Sequence, residues 1–461
     1  MAPTTRSQTA AHGRSQDELS RTSSSSRLNH APSISNSVRS DDAPPLYIID
    51  LSLPPSKRYV KVARDFKPII GDLTSIFDEL LEEANLPKKT FHFIARCILT
   101  RLHSKEQTDE LRAIGKVIGV PMYLLVAYNV LLDLFMGCTS GGALVNEPRN
   151  STGKVLHFRT LDWGMPALRK ALVRYEFRSG PEGNVIARTI SYVGFVGTLT
   201  GVREGLSVSL NLRPYHNNDE SLRSNVRFYL HVAAVLVGWR PGICAHLRDM
   251  IIPTQKELER VAKEAIKEDI RNDQANVKYR YSHATLDDIA QKFPQTPTTA
   301  VYLTFCDSTQ ILVLEKDRVT AKPLLNSSFL AVTNHDTSYE PPGSSLGSAT
   351  PASEAHAAHA KSRRLGTLMS ELIDESMERK GCLTASWESH VESLKERGHM
   401  KQKGVRLDML KEWLLEYPVT NEQTHFVAIM DPEKGDVIWC RSWEEGEVER
   451  VFLLQVDSCD G

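Results

Sequence analysis

Apolar residues recur at helical spacing through the first third of the chain and in short strand-like runs beyond it. Within residues 65–86, Ile69, Leu73, Ile76, Phe77, Leu80 and Leu81 fall on one helical face. Two more helical stretches follow near 90–103 and 107–118. Upstream, Leu46-Tyr-Ile-Ile-Asp-Leu51 is rich in β-formers and is stopped by Pro54-Pro55, so it reads as a strand. From Val120 to Met136 the chain is almost continuously apolar, but Pro121, Asn129 and Asp133 interrupt it. That pattern predicts a buried amphipathic helix in preference to a membrane span, with contact at a membrane surface as the second option.

After Cys138 the texture changes to strands. CTSGGALV, KVLHFRTLDW, RTISYVGFVGTLTGV, LSVSLNL, RFYLHVAAVLVG, TTAVYLTFCD, TQILVLEKD and SSFLAVTNHD are each read as β. Helices are expected near 254–268 and 362–377, and a terminal hairpin about Asp431-Pro-Glu-Lys-Gly435. Two segments are poor in core-forming residues. Residues 1–45 hold 15 Ser or Thr, and residues 338–362 are rich in Ser, Ala, Gly, Pro and His. The first reads as a disordered tail and the second as a loop. The organisation expected is a tail over 1–45, a mainly helical unit over 46–137 and a strand-rich unit over 138–461, in the α+β class with layered sheets flanked by helices.

Composition narrows the function. Fifty-six basic and 57 acidic residues leave a net charge of −1 over 461 residues, which supplies no general attraction for nucleic acid. Seven cysteines without CxxC spacing argue against a zinc ribbon or disulfide scaffold, and no cofactor or metal is expected. No apolar run of secretory type occurs in the first 45 residues, so a cytoplasmic address is the default expectation.

The chemistry-bearing stretch is Gly137-Cys-Thr-Ser-Gly-Gly-Ala-Leu-Val145, a turn-rich link, and Lys154-Val-Leu-His-Phe-Arg-Thr-Leu-Asp-Trp163. The flanks should pair as a hairpin with Val145 opposite Val155, to within two residues. Cys138 then faces Asp162, with Arg159 one pleat along and His157 on the face of Arg159. A guanidinium lowers a thiol pKa, and a carboxylate can orient the group that takes the nucleophile's proton. From these residues alone, a small buried structural cysteine beside a surface Arg159–Asp162 ion pair is the favoured reading.

The run GVPMYLLVAYNVLLDLFMGCTSGGALV…HFRTLDW resembles the nucleophile region of the acid ceramidase and N-acylethanolamine acid amidase family. These are N-terminal-nucleophile cysteine amidases related to bile-salt hydrolases. PPLYIIDLSLPPSKRY, RTISYVGFVGTLTGVREGLSVSLN, LAVTNHD, Arg363-Arg364 and the terminal hairpin carry the likeness over residues 45 to 455. It departs at Asn211-Leu-Arg-Pro214, where relatives have an acidic residue, and at Gly141-Gly142.

The resemblance implies an αββα sandwich and self-cleavage between Gly137 and Cys138 into a small α-subunit and a larger β-subunit. It implies that the freed amine of Cys138 serves as base and Asp162 holds that amine. Arg159 would steady the nucleophile and the substrate carbonyl. Asn334 would donate to the oxyanion, with Arg363, or Arg364 after a shift, as second stabiliser. The implied substrate is a lipid amide, ceramide first and an N-acylethanolamine second. A silent lipid-binding homologue is the remaining alternative.

Overall fold

The computed structural model describes residues 42–70, 78, 81–82, 87–131, 136–146, 153–217, 221–271, 284–340, 367–398, 403–448 and 450–451. Most of the helix expected over 65–86 lies outside them, as do the tail over 1–41 and most of the 338–362 loop.

Two sheets stack face to face. The larger has the order β1 (Leu46–Asp50), β4 (Leu172–Arg178), β5 (Val185–Tyr192), β6 (Thr200–Arg203), β7 (Leu206–Leu212), β8 (Val301–Cys306), β9 (Ile311–Lys316) and β10 (Ala321–Asn326). The smaller runs β11 (Phe329–Val332), β2 (Met136–Val145), β3 (Lys154–Trp163), β12 (Thr424–Asp431) and β13 (Asp436–Ser442). β2 and β3 pack on β7 and β8, and β12 and β13 on β5 and β6. Strand β3 is buried at nine of its ten positions because both its faces are covered, hence its near-continuous apolar reading.

Helices cover the outer faces. α11 (Thr367–Glu396) lies on β11 and β2, and α8 (Ile243–Ile251) on β6 and β7. The result is the αββα sandwich of the α+β class expected from the sequence.

The N-terminal helices are α1 (Pro55–Arg58), α2 (Val60–Asp65), α3 (Lys67–Ile70), α4 (Lys88–Ile98), α5 (Lys105–Ile118) and α6 (Met122–Leu131). α1 and α2 pack on α5, while α6 packs on α4 and α5. α5 starts at Ser104, whose side chain accepts from the Gln107 amide, and ends at Gly119 in the left-handed region (φ 86°). Glu110 of α5 takes both Nη atoms of Arg248 of α8, at 2.6 and 2.8 Å. Within α6, Leu124 to Ala127 are fully buried. The helix read over 120–136 is seen over Met122–Leu131, residues 132–135 lie outside the described residues, and Met136 already belongs to β2. Among the described residues no helix is long and apolar enough to cross a membrane.

One strand reading is overturned. RFYLHVAAVLVG lies mostly in the helix α7 (Leu222–Leu236). Its two buried residues, His231 and Val235, are one helical turn apart, and Gly238 (φ 70°) receives the chain at the C-terminal end. Periodicity cannot separate a continuous apolar run of this length from a strand, and the Ala233-Ala234 pair favours the helix. The helix expected over 254–268 is α9 (Gln255–Arg271), and α11 extends far beyond the expected 377. The terminal hairpin forms as read, with Gly435 at φ 65° in its turn.

Candidate active site around Cys138

Strands β2 and β3 pair with Gly137 opposite Asp162, Cys138 opposite Leu161, Ser140 opposite Arg159 and Leu144 opposite Val155. The expected register is thus off by one residue. Because side chains alternate along a strand, that slip matters. Cys138 and Arg159 share the inner face, toward the larger sheet, while Asp162 lies with Gly137 on the face covered by α11.

On the inner face the Arg159 Nη2 donates to the Cys138 Sγ across 3.0 Å, and both side chains are fully buried. The Arg159 Nη1 donates to the Oδ1 of Asn211, which also accepts from the Ser140 hydroxyl at 2.8 Å. The Asn211 Nδ2 donates to the carbonyls of Cys138, Val332 and Thr333. Asn211 therefore orients Arg159 and joins three strands at the nucleophile. Sequence reading had marked this stretch only as a departure from the family pattern. His157 shares the Arg159 face as expected, but Ser207 and Ser209 hold its two ring nitrogens at 2.8 Å each, away from the thiol.

Asn334, two residues beyond β11, accepts the backbone N–H of Cys138 on its Oδ1 at 2.8 Å. Its Nδ2 donates to the Leu212 carbonyl at 2.9 Å, and its own amide donates to Ser376 Oγ at 2.6 Å. Arg379 of α11 donates from Nη2 to the same Oδ1 at 3.1 Å, and its Nε lies 3.8 Å from Asp162 Oδ2. Asp162 Oδ1 accepts from Thr424 at 2.7 Å. Four of the expected residues, Cys138, Arg159, Asp162 and Asn334, thus converge on one end of the hairpin. Arg363 and Arg364 lie outside the described residues. The guanidinium that stands beside Asn334 is that of Arg379, which sequence reading missed.

Burial pushes the Cys138 thiol pKa up, Arg159 and then Arg379 pull it back, and Asp162 adds to the rise. The Asp162 carboxyl is also raised by burial, against Arg379, Thr424 and Arg159. Dry surroundings thus disfavour the thiolate, against two cations that favour it.

A cavity of about 310 Å³ opens between the N-terminal helices and α7 and α8. Val130, Phe228, Val232, Leu236 and Ile243 give it an apolar lining, and Arg213 and Pro214 bring it to the end of β7. A second, smaller cavity of about 100 Å³ touches Gly137, Asp162 and Arg379.

Comparison with known proteins gives the following. A family model described as the beta subunit of N-acylethanolamine-hydrolyzing acid amidase matches residues 42–99. An N-acylethanolamine-hydrolyzing acid amidase from Caenorhabditis elegans is 30% identical over 184 residues, 38% of this chain and 49% of that protein. Mouse acid ceramidase is 27% identical over 188 residues, 37% of this chain and 45% of its own length. The chain spans about half the length of the curated relatives it matches. A solved structure of the Caenorhabditis elegans N-acylethanolamine-hydrolyzing acid amidase ortholog aligns with TM-score 0.40 and 19% identity, over 66% of this chain and all of that one. That likeness is too distant to assign any residue a role. The resemblance read from the sequence is thus to proteins that bear both of the names it suggested.

Proposed function

We propose that this chain is a cysteine amidase that cleaves itself between Gly137 and Cys138 and then hydrolyses the N-acyl bond of a lipid amide. The observation that carries the reading is the double grip on Cys138, with Arg159 on its sulfur and Asn334 on its nitrogen. A structural cysteine needs neither, and burying a guanidinium against a thiol is costly unless the thiolate is used.

In self-cleavage the Cys138 sulfur attacks the Gly137 carbonyl, the Gly137–Cys138 C–N bond breaks, and the nitrogen leaves as a free amine. Water then hydrolyses the Gly137 thioester, leaving a small and a larger piece that stay together as a heterodimer. The new amine takes the thiol proton, with Asp162 as its carboxylate partner. Sulfur attacks the substrate carbonyl while Asn334 and a guanidinium stabilise the oxyanion, for which Arg363 was the expected source and Arg379 is the one at hand. The substrate amine departs with a proton, and water releases the fatty acid. No cofactor or metal enters these steps.

The apolar cavity beside Arg213 fits an acyl chain, since sites for such ligands are concave and mostly apolar. Ceramide is our first substrate, giving a sphingoid base and a fatty acid. An N-acylethanolamine is the second, favoured by the family model and by the nematode relative.

Intact mass after incubation across pH 4–8, beside Cys138→Ala, tests the reading. Pieces of about 15 and 36 kDa, in proportion to the 51.7 kDa chain, with Cys138 as a new N-terminus and none in the variant, would support it. Ceramide and N-acylethanolamine would then be compared directly. A chain that stays whole and turns over neither amide would move the assignment to a lipid-binding homologue.

A further inference from the structure

We propose that Arg213 and Asp336 form a positioning pair that holds Asn334 on the Cys138 nitrogen; its catalytic consequence rests on the amidase reading above.

The end of β7 presents three consecutive residues to the site, each gripping a different part of it. Asn211 holds Arg159 and the Cys138 carbonyl. The Leu212 carbonyl takes the Asn334 amide nitrogen at 2.9 Å. Arg213 then closes a two-point ion pair on Asp336, Nε to Oδ1 at 2.9 Å and Nη2 to Oδ2 at 2.7 Å. Asp336 is two residues from Asn334, so this pair fixes the far end of the short segment that carries it.

The pair is itself built in. Tyr302 donates its hydroxyl to Asp336 Oδ1 at 3.0 Å, and the Asp336 amide donates to Tyr215 Oη at 2.8 Å. The guanidinium carbon lies 5.2 and 5.9 Å from the Tyr215 and Tyr302 ring centres. A planar fork gripped between two rings and a carboxylate has one low-energy orientation, which a lysine cannot reproduce. Arg213 also forms part of the wall of the apolar cavity. The same side chain therefore touches the space assigned to the acyl chain and sets the residue assigned above to the oxyanion.

Hydrogen exchange in the uncleaved Cys138→Ala chain tests the placement without any need for activity. Exchange at the residue-138 amide, which donates to Asn334, should quicken about tenfold or more in Arg213→Met and in Asp336→Asn. Lys154→Met, which breaks the 2.8 Å Lys154–Asp431 ion pair elsewhere in the smaller sheet, should leave that amide protected. Asp336→Asn keeps the side-chain shape and carries the test if Arg213→Met does not fold. Unchanged protection at residue 138, or a uniform rise that Lys154→Met shares, would overturn the proposal.

In the otherwise wild-type chain, kcat per alkylatable Cys138 should fall about tenfold or more in Arg213→Met, whatever change KM shows from the loss of a cavity-wall residue. Arg213→Lys should recover only part of it, and the rate of Cys138 alkylation by iodoacetamide should not change. An unchanged kcat would sink the positioning role. Absence of turnover in the parent chain would instead sink the amidase reading, and the exchange result would decide the pair on its own.

Discussion

Arg379 donates to the Oδ1 of Asn334 across 3.1 Å, although 45 positions separate them and much of the intervening chain is of low complexity. The same oxygen accepts the Cys138 amide, so a helix, a loop and a strand meet at one atom. Removing the guanidinium while keeping its length, in Arg379→Met, should lower turnover per alkylatable thiol by about 10²-fold. Arg363→Met, made beside it, decides which arginine serves the oxyanion. The larger loss is expected at Arg379.

Arg159→Met should impair an earlier step. With its Nη2 gone from the 3.0 Å contact, the largest effect opposing burial is lost, and the thiol pKa, already pushed up, rises further. Alkylation of Cys138 by iodoacetamide at pH 7 should slow by about tenfold or more, because the thiolate is the reacting form. Arg159→Lys should recover part of that rate but not the Asn211 contact, since Lys offers one point charge in place of a fork. Equal alkylation rates in the parent and in Arg159→Met would mean that the guanidinium does not govern the thiol.

The two residues beside the nucleophile show how far sequence could reach. Alternation along KVLHFRTLDW places Arg159 and His157 on one face, and they are there because period two is a local property. The pairing of β2 with β3 depends on a link whose length alone does not fix its turn, and the one-residue error put Asp162 on the wrong face. Asn211 was legible only as an oddity, because its role lies in bonds to β2, β3 and β11, all distant in sequence. Arg379 carried no local signal at all. It sits in a helix read as ending at 377, and only the docking of α11 on β11 and β2 brings it to Asn334. The run at 227–238 failed for another reason, since burial on a helical period and continuous apolarity look alike in so short a stretch.

Gly141 marks where β11 comes closest. A Cβ there would lie 2.0 Å from the Leu330 carbonyl oxygen and 2.6 Å from the Phe158 ring. The carbonyl belongs to the paired strand and cannot step aside, so Gly141→Ala should cost about 3 kcal/mol or more. β11 leads directly to Asn334, so self-cleavage should slow with it. Gly137→Ala is the contrast. Its Cβ would meet Asp162 at 3.3 Å, and stability should change much less. Denaturant melts of both variants, with cleavage followed by mass, check this. A Gly141→Ala chain as stable as the parent would mean that β11 does not approach β2 this closely.

His425 ties stability to pH. It is fully buried, with Nδ1 2.8 Å from the Tyr192 hydroxyl and Nε2 3.0 Å from the Trp163 carbonyl. Burial, reinforced by Arg169, depresses its pKa from 6.5 to about 3, against the opposing bond to Trp163. Below pH 6.5 the unfolded chain takes up a proton that the folded chain refuses, so folding loses about 1.4 kcal/mol per pH unit until about pH 3. Stability from this group is complete above pH 6.5 and drains as pH falls. Buried His157, also held at about 3, adds a second contribution of the same sign. Urea unfolding at pH 7.5 and 4.5 should show a fall that His425→Asn reduces by about 3 kcal/mol, whatever the variant costs at pH 7.5. Parallel losses in the two chains would show that His425 does not titrate between those limits, and that the acid sensitivity resides elsewhere.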